Sequence, residues 1–361
     1  MREGWTYKKL NEVCDKSSSN IVINKLDDNN GDYPLFGASG LVKNVDFYHQ
    51  DKPYIGIVKD GAGVGRVNTY PAYSSLVGTM QYIFPKEECL LNYVKYFLVK
   101  LDLSHCVSGA TIPHIYFKDY GKELIPVPPL STQLSIVSEL DKISELIRLK
   151  KEQLKDYDNL AQSIFYEMFG DPIENEKGWE VKKLGDVCKF TQGTQVPIEE
   201  QHLSKENGLV QFLRIIDFTQ GKDAPRFVKC SNDKYILHER EIAIVRYGTP
   251  GFVCYGKIGA IANNLFKITP NQKDMFEFEF LVHWLNTEAF QSAVKSKQYG
   301  AALQAIKFST IQGINIIIPS LTVQRSFATR ISQIDKQKQY IEESIKELES
   351  LLASRMQYWF D

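Results

Sequence analysis

The sequence predicts an α+β protein built as an internal pseudo-two-fold repeat, in which two similar mixed α/β domains are separated by two long helices forming an intramolecular antiparallel coiled coil. Three observations predict it. The opening Gly4-Trp5-Thr6-Tyr7-Lys8-Lys9-Leu10-Asn11-Glu12-Val13-Cys14 returns as Gly178-Trp179-Glu180-Val181-Lys182-Lys183-Leu184-Gly185-Asp186-Val187-Cys188. A closing junction is also doubled, Ile125 to Gln133 against Ile316 to Gln324, and a long charged helical stretch follows each copy, to Phe169 and to Phe360. Such self-similarity defines the structural unit before any fold assignment. The offset between copies is 174 residues at the front (178 minus 4) and 191 at the back (319 minus 128), so the second copy gains a net 17 in its middle. Common ends with unequal centres suggest a shared framework that carries different targets.

The boundaries follow: a first domain over 1–129, a helix and linker over 130–177, a second domain over 178–319 and a second helix over 320–361. Within each domain, short apolar and β-branched runs bounded by Gly and Pro read as strands. Pro53 to Lys59 leads through the glycine turn Asp60-Gly61-Ala62-Gly63-Val64-Gly65-Arg66 to Val67 and then to Gln81–Pro85. Glu241–Arg246 leads through Tyr247-Gly248-Thr249-Pro250-Gly251 to Phe252-Val253 and then to Leu265–Pro270. A helix is expected next in each copy, Tyr93 to Leu101 and Phe278 to Phe290, from apolar residues at helical spacing. Polar glycine loops at Ser108–Thr111 and Tyr299–Ala302 precede the closing strands.

The long helices carry a seam. In the first, Leu140, Ile143, Ile147, Lys150, Leu154, Tyr157, Ala161, Ile164 and Met168 step by three and four. In the second the series is Ile331, Ile334, Lys338, Ile341, Ile345, Leu348, Leu352, Arg355 and Trp359. Alternating spacing over about four heptads is a coiled-coil signature. The polar lapses, Lys150 and Lys338, fall at different places, which suits two helices that partner each other. A helix of about 40 residues is roughly 60 Å long, so the pair is expected to hold the domains apart.

Composition adds limits. Lys plus Arg (43) and Asp plus Glu (44) nearly cancel, whereas a basic patch is the usual footprint of a nucleic-acid binder. By segment, acid concentrates in the first helix and the second domain is mildly basic. The N-terminus lacks a signal-peptide core, and no run reaches the roughly 20 apolar residues of a membrane span, so a cytoplasmic protein without membrane contact is expected. Six cysteines without a C-x-x-C pair suggest neither a zinc ribbon nor a disulfide framework. Cys14 and Cys188, at equivalent positions, read as small buried hydrophobes.

Catalytic motifs fail one by one. The glycines of Asp60–Arg66 lack G-x-G-x-x-G spacing, and Gly251–Lys257 matches G-x-x-x-x-G-K but continues with Ile258 where a phosphate loop needs Ser or Thr. Glu180-Val181-Lys182 after Asp171 only faintly resembles a metal-nuclease pattern. No G-x-S-x-G elbow, histidine pair or methyltransferase tetrapeptide is found, so a non-catalytic chain that binds no metal or cofactor is expected.

Four segments in register, the G-W-x-x-K-K-L-x-x-V-C openings, Gly109–Lys118 (G-A-T-I-P-H-I-Y-F-K), Pro128–Gln133 (P-P-L-S-T-Q) and Met168-Phe169-Gly170-Asp171, resemble the specificity subunit of type I restriction-modification systems over essentially the whole length. The resemblance implies double-stranded DNA as a partner, with each domain a target recognition domain reading half of a bipartite asymmetric site and the helices setting the spacer. It also implies two methyltransferase (modification) subunits and motor-endonuclease (restriction) subunits, with S-adenosylmethionine, ATP and Mg on those partners. The chain is somewhat short for the family, which also suits an alternative or trimmed specificity protein.

Direct readout pairs Arg or Lys with guanine and Asn or Gln with adenine, while other polar groups hold phosphates. On that chemistry the candidate DNA contacts are Lys59, Asp60, Arg66 and Asn68 in the first domain, and Arg246, Tyr247, Thr249, Asn263 and Asn264 in the second. Each of these types also serves as an ordinary turn residue. A coiled-coil scaffold without DNA readout remains the rival reading; it explains the helices and the neutral charge, but gives the two domains no reason to diverge in their loops. Trp5 and Trp179, being repeated, read as structural anchors.

Overall fold

A computed structural model describes residues 2, 4–61, 63–109, 111–219, 223–272, 274–296 and 306–361. The glycine loop expected at Tyr299–Ala302, and residues Ala62 and Ala110 of the first domain's loops, lie outside this set. The chain forms two compact units: Met1–Glu152 with Ile341–Asp361, and Gln153–Tyr340.

In the first unit the repeated opening forms strand Thr6–Lys9, which pairs antiparallel with Leu124–Val127. The chain then enters a four-stranded sheet in the order Cys14–Ser18, Met80–Pro85, Tyr54–Val58, Val67–Tyr70. Tyr54–Val58 is buried at every residue, as its continuous apolar pattern demands of a strand covered on both faces. One face meets helix Leu91–Leu101 through Ile55, Ile57 and Ile83. The other meets a smaller sheet, Gly40–Val45, Tyr33–Gly37 and Ser75–Leu76, through Tyr54, Val58 and Tyr82.

The second unit repeats the plan. Glu180–Lys183 pairs with Asn315–Ile318, and a sheet runs Cys188–Gln192, Leu265–Pro270, Ile242–Val245, Val253–Cys254. Even the register is kept, Cys14 opposite Pro85 and Cys188 opposite Pro270. Both cysteines are buried, and burial pushes their thiols up, that of Cys188 to about 12.

The units differ in the second sheet, where four strands, Arg226–Lys229, Leu209–Leu213, Gly259–Ile261 and Ile236–Leu237, replace three. They also differ after it. The single helix expected over Phe278–Phe290 is two, Phe278–Leu285 and Glu288–Ser296. Thr287 makes the break: its hydroxyl donates to the Trp284 carbonyl at 2.7 Å and accepts from Phe290 N at 3.4 Å, ending one helix and capping the next.

Each long helix, Leu130–Phe169 and Leu321–Phe360, gives one end to each unit. A Pro-bounded start sets both, and one glutamine locks each start in place. Gln133 is fully buried: its amide donates to the carbonyls of Glu88 (2.8 Å) and Pro128 (3.0 Å) and its oxygen accepts from Leu90 N (2.9 Å). Gln324 repeats this on Met275 (3.2 Å), Pro319 (2.9 Å) and Glu277 N (2.9 Å).

The helices pair antiparallel within each unit. In the first, Glu139 meets Arg355 and the Trp359 indole, and Lys151 meets Glu349 at 2.7 Å. In the second, Asp158 meets Lys338 at 2.5 Å while Phe165 and Phe169 pack on Phe327. Of the seam positions, Leu140, Ile143, Ile147, Ile334, Ile341 and Ile345 are buried, and Leu154, Tyr157, Leu348 and Leu352 are half-buried.

The repeated tryptophans sit at helix ends. Trp5 stacks on Trp359 with Arg2 over both rings. The Trp179 indole donates to the Phe169 carbonyl at 2.8 Å.

Candidate nucleic-acid interface

In the first unit the buried strand Tyr54–Val58 ends at Lys59, whose amide donates to the Thr79 carbonyl at 2.9 Å and whose carbonyl accepts from Ile115 N at 2.9 Å. Asp60 N also donates to Thr79, and Gly61 N donates to the Pro113 carbonyl at 2.9 Å. The Gly109–Lys118 segment is thereby strapped across the glycine turn. Its own tight geometry needs Gly109, which has φ +92° and whose Cβ, if present, would collide with the Ile112 carbonyl.

The turn closes when Gly65 N donates to Val58 O (2.9 Å) and Val58 N to Arg66 O (3.0 Å). Arg66 and Asn68 are both exposed, and they line one groove with Phe36, Ser39, Gly40 and Tyr70. Lys59 and Asp60 instead face each other, Nζ to Oδ2 at 3.7 Å. The four first-domain candidates therefore fall into two pairs on the two shoulders of one turn.

The second unit reproduces the frame with other side chains. Arg246 N donates to Asn264 O (2.7 Å) and Arg246 O accepts from Ile306 N (2.9 Å). Gly251 N donates to Val245 O (3.0 Å) and Val245 N to Phe252 O (2.9 Å). These bonds equate Lys59 with Arg246, Thr79 with Asn264, Ile115 with Ile306 and Arg66 with Phe252.

Tyr247 and Asn263 come together, the phenol donating to Oδ1 at 3.4 Å. Two glutamines join them: Asn263 Nδ2 donates to Gln195 Oε1 at 3.4 Å, and Gln192 donates to the Asn263 carbonyl at 2.9 Å. Asn264 Oδ1 is buried and unpartnered among the described residues. Thr249 stands exposed at the tip, where its carbonyl accepts from Phe252 N at 3.2 Å.

Two features escape a reading by motif. Gln192 and Gln195 carry no pattern beyond a polar strand end. The other is the connection between the first two strands of the smaller sheet: Ala38 and Ser39 in the first unit, Arg214–Pro225 in the second, with a short helix Ile215–Thr219. Its anchor is Arg214, whose guanidinium donates to the buried Asp217 carboxylate at 3.0 and 3.1 Å. The phosphate-loop look-alike Lys257 is used here too, donating to the Asp217 carbonyl and lying over Phe218. Glu180 and Lys182 of the nuclease-like triplet pair with each other at 3.1 Å.

Among the described residues no group of three or more His, Cys, Asp or Glu is placed to hold a metal ion, and no helix is long and apolar enough to cross a membrane. A family model described as the type I restriction modification DNA specificity domain matches twice, over residues 2–156 and 176–350. The chain is 25% identical over 283 residues to the type I restriction enzyme MjaIX specificity subunit of Methanocaldococcus jannaschii, covering 70% of this chain and 64% of that protein, thus less than two thirds of the relative's length. It is 24% identical over 323 residues to the MjaVIII specificity subunit of the same organism, covering 77% and 73%.

Among solved structures, the S subunit of a type I restriction-modification system from M. genitalium superposes with a TM-score of 0.55 at 16% identity, over 99% of this chain and 96% of that one. A chain from a type I R-M system studied for complex assembly and conformational transition gives 0.55 at 20% identity, over 100% and 98%. These two likenesses establish a shared fold.

Proposed function

This chain belongs to the type I restriction-modification DNA specificity family, and from that premise we propose that it is the sequence-reading subunit of such a system, acting on double-stranded DNA in the cytoplasm. The carrying observation is the paired glycine turn: one backbone frame, held by the same hydrogen bonds in both units, presents Lys59 and Arg66 in one and Arg246 and Phe252 in the other. A framework kept while its outward side chains change suits two readers of two different half-sites. Base edges supply the specificity and phosphates the positioning.

In this reading each unit takes one half of a bipartite asymmetric site, and the helix pair fixes the spacer between halves. Two methyltransferase subunits dock along the helices and bring S-adenosylmethionine; motor-endonuclease subunits add ATP- and Mg-dependent cleavage of unmodified DNA. The chain itself contributes recognition and no bond-making step. Its near-zero net charge suits weak binding alone, because affinity tracks the number of phosphates neutralised, and partners complete the electropositive clamp.

The test is affinity purification of the tagged chain from its own cells, with methylome sequencing of cells that carry or lack it. The expected result is co-purifying methyltransferase and a split methylated motif that disappears with the chain. A methylome indifferent to the chain would sink the reading.

A further inference from the structure

The glycine turns present one equivalent pair of positions on which the two units disagree chemically. Arg66 and Phe252 leave the turn through the same hydrogen bond to the preceding strand, and two residues on stand Asn68 and Cys254. In the first unit both side chains project into the groove beside Ser39 and Gly40. Among the described residues the Arg66 guanidinium has no carboxylate within ion-pair distance, and its one hydrogen bond is a long 3.5 Å contact to the Ala38 carbonyl. In contrast, Arg214 at the second unit's corresponding connection is tied to Asp217. A guanidinium held on a strand end with its planar fork unspent is equipped for a two-pronged acceptor.

In the second unit Phe252 is 40% exposed while Cys254 is buried in the core. An apolar ring therefore stands where the first unit offers five donors, with no polar side chain following it. On the first edge Arg66 and Asn68 are both exposed, whereas on the second only Phe252 is, so the first edge offers hydrogen-bonding side chains and the second an apolar ring.

Resting on the reading above, we propose that Arg66 is a specificity-determining residue that selects a guanine in the half-site of the first unit, and that Phe252 at the equivalent position selects a thymine by contact with its methyl group. Guanine presents the O6 and N7 acceptors that match an arginine fork, and thymine alone presents a methyl group in the major groove. Arg66 used on phosphate would predict a different outcome, since a phosphate contact weakens all sequences alike.

The experiment selects from randomised DNA duplexes with the complex of this chain and its co-purified methyltransferase, followed by sequencing of the bound fraction. Wild type, Arg66→Ala, Arg66→Lys and Phe252→Ala are compared. Both side chains are exposed, so unchanged melting profiles are expected to show that the variants fold. Arg66→Ala should lose preference for one G·C pair in one half-site by about 5- to 150-fold, with the other half-site intact. Arg66→Lys keeps the charge without the fork and should recover only part of that preference. Phe252→Ala should relax one A·T pair in the opposite half-site alone.

A uniform drop in binding with an unchanged motif, rescued by lysine, overturns the Arg66 assignment in favour of a phosphate contact. A motif unaltered by Phe252→Ala overturns the Phe252 assignment. A wild-type complex that enriches no sequence overturns the parent reading, which separates that failure from these.

Discussion

The two units share a skeleton and differ in what they hang on it. Counting from the glutamine clamp, Leu90 corresponds to Glu277, and the helix that follows keeps step, Tyr93 with Phe280 and Tyr96 with His283. At the closing phenylalanines the correspondence continues: Phe360 packs on Tyr93 and Phe97, and Phe169 on Phe280 and Phe327. Side chains that hold the frame are repeated or replaced by similar shapes, whereas those facing outward are exchanged for unlike chemistry, such as the exposed Leu134 against Arg325, which pairs with Glu277 at 3.0 Å. Duplicated architecture is therefore conserved where backbone groups need satisfying and free elsewhere.

The largest expected effect tests the phenylalanine equivalence. Phe169 is fully buried within a cluster of Phe165, Phe280 and Phe327, and Phe169→Ala should cost about 3–5 kcal/mol of the second unit's stability. Phe360 is buried too but meets two rings, Tyr93 and Phe97, where Phe169 meets three, so Phe360→Ala should cost the first unit less. Denaturant unfolding followed by probes in each unit measures both; equal losses would show that the two ends are anchored alike.

Next comes a pH effect confined to one unit. Burial and then Lys338 push the His283 ring down to about 4, against about 6.5 for a free imidazole. The unfolded chain takes up this proton as the pH falls through 6.5, and the folded chain does so only near 4. The stabilisation is thus complete above 6.5 and lost between 6.5 and 4, roughly 3 kcal/mol in all. His283→Phe should flatten that part of the stability profile. The counterpart Tyr96, which donates to Asp141 at 2.7 Å and whose phenol burial pushes up, gives the first unit no such slope. A slope that survives in the variant would place the titration elsewhere.

The glutamine clamps should behave as a matched pair. Gln133→Leu takes the partner from the buried Pro128 carbonyl and from the part-buried Leu90 amide and Glu88 carbonyl, and Gln324→Leu does the same to Pro319, Glu277 and Met275. At about 1–3 kcal/mol for a buried group left unpaired, partly relieved by relaxation, each should cost about 2–3 kcal/mol. Thermal melts that show a loss in one unit alone would end the claim that the clamp is common framework.

How much of this was legible depended on periodicity. The seam from Leu140 to Ile147 and from Ile334 to Ile345 could be read because burial on a helix imposes a spacing on residue type. The strand, glycine turn, strand order could be read because Gly65 and Gly251 mark backbone with φ near +90°. The helix break at Thr287 could not, since its cause is one hydroxyl choosing two backbone partners. Nor could the short helix Ile215–Thr219, whose five residues are held by the Arg214–Asp217 contact and have no propensity to stand alone. Gln133 carries no sign of burial in the sequence beyond its recurrence as Gln324. At the candidate interface the turn was locatable, but the pairing of Lys59 with Asp60 and of Tyr247 with Asn263 is decided by side-chain direction.

The smallest effect concerns the seam itself. Lys338 interrupts the second helix where the equivalent residue of the first is Ile147, and it answers Asp158 at 2.5 Å with side chains 27% and 64% exposed. A pair so open to water is worth at most about 1 kcal/mol. Lys338→Ile leaves Asp158 solvated and adds apolar area to the seam, so stability should change by less than about 1 kcal/mol, in the favourable direction. Raising the salt should widen the variant's advantage, because it screens the pair and spares the apolar contact. What the lysine is expected to supply is register: a polar seam residue penalises slipped pairings that an unbroken apolar stripe would tolerate. Cysteine cross-linking across the helices should therefore trap more than one register in Lys338→Ile and a single register in the wild type, and one register in both would leave the lapse with no part in setting the pairing.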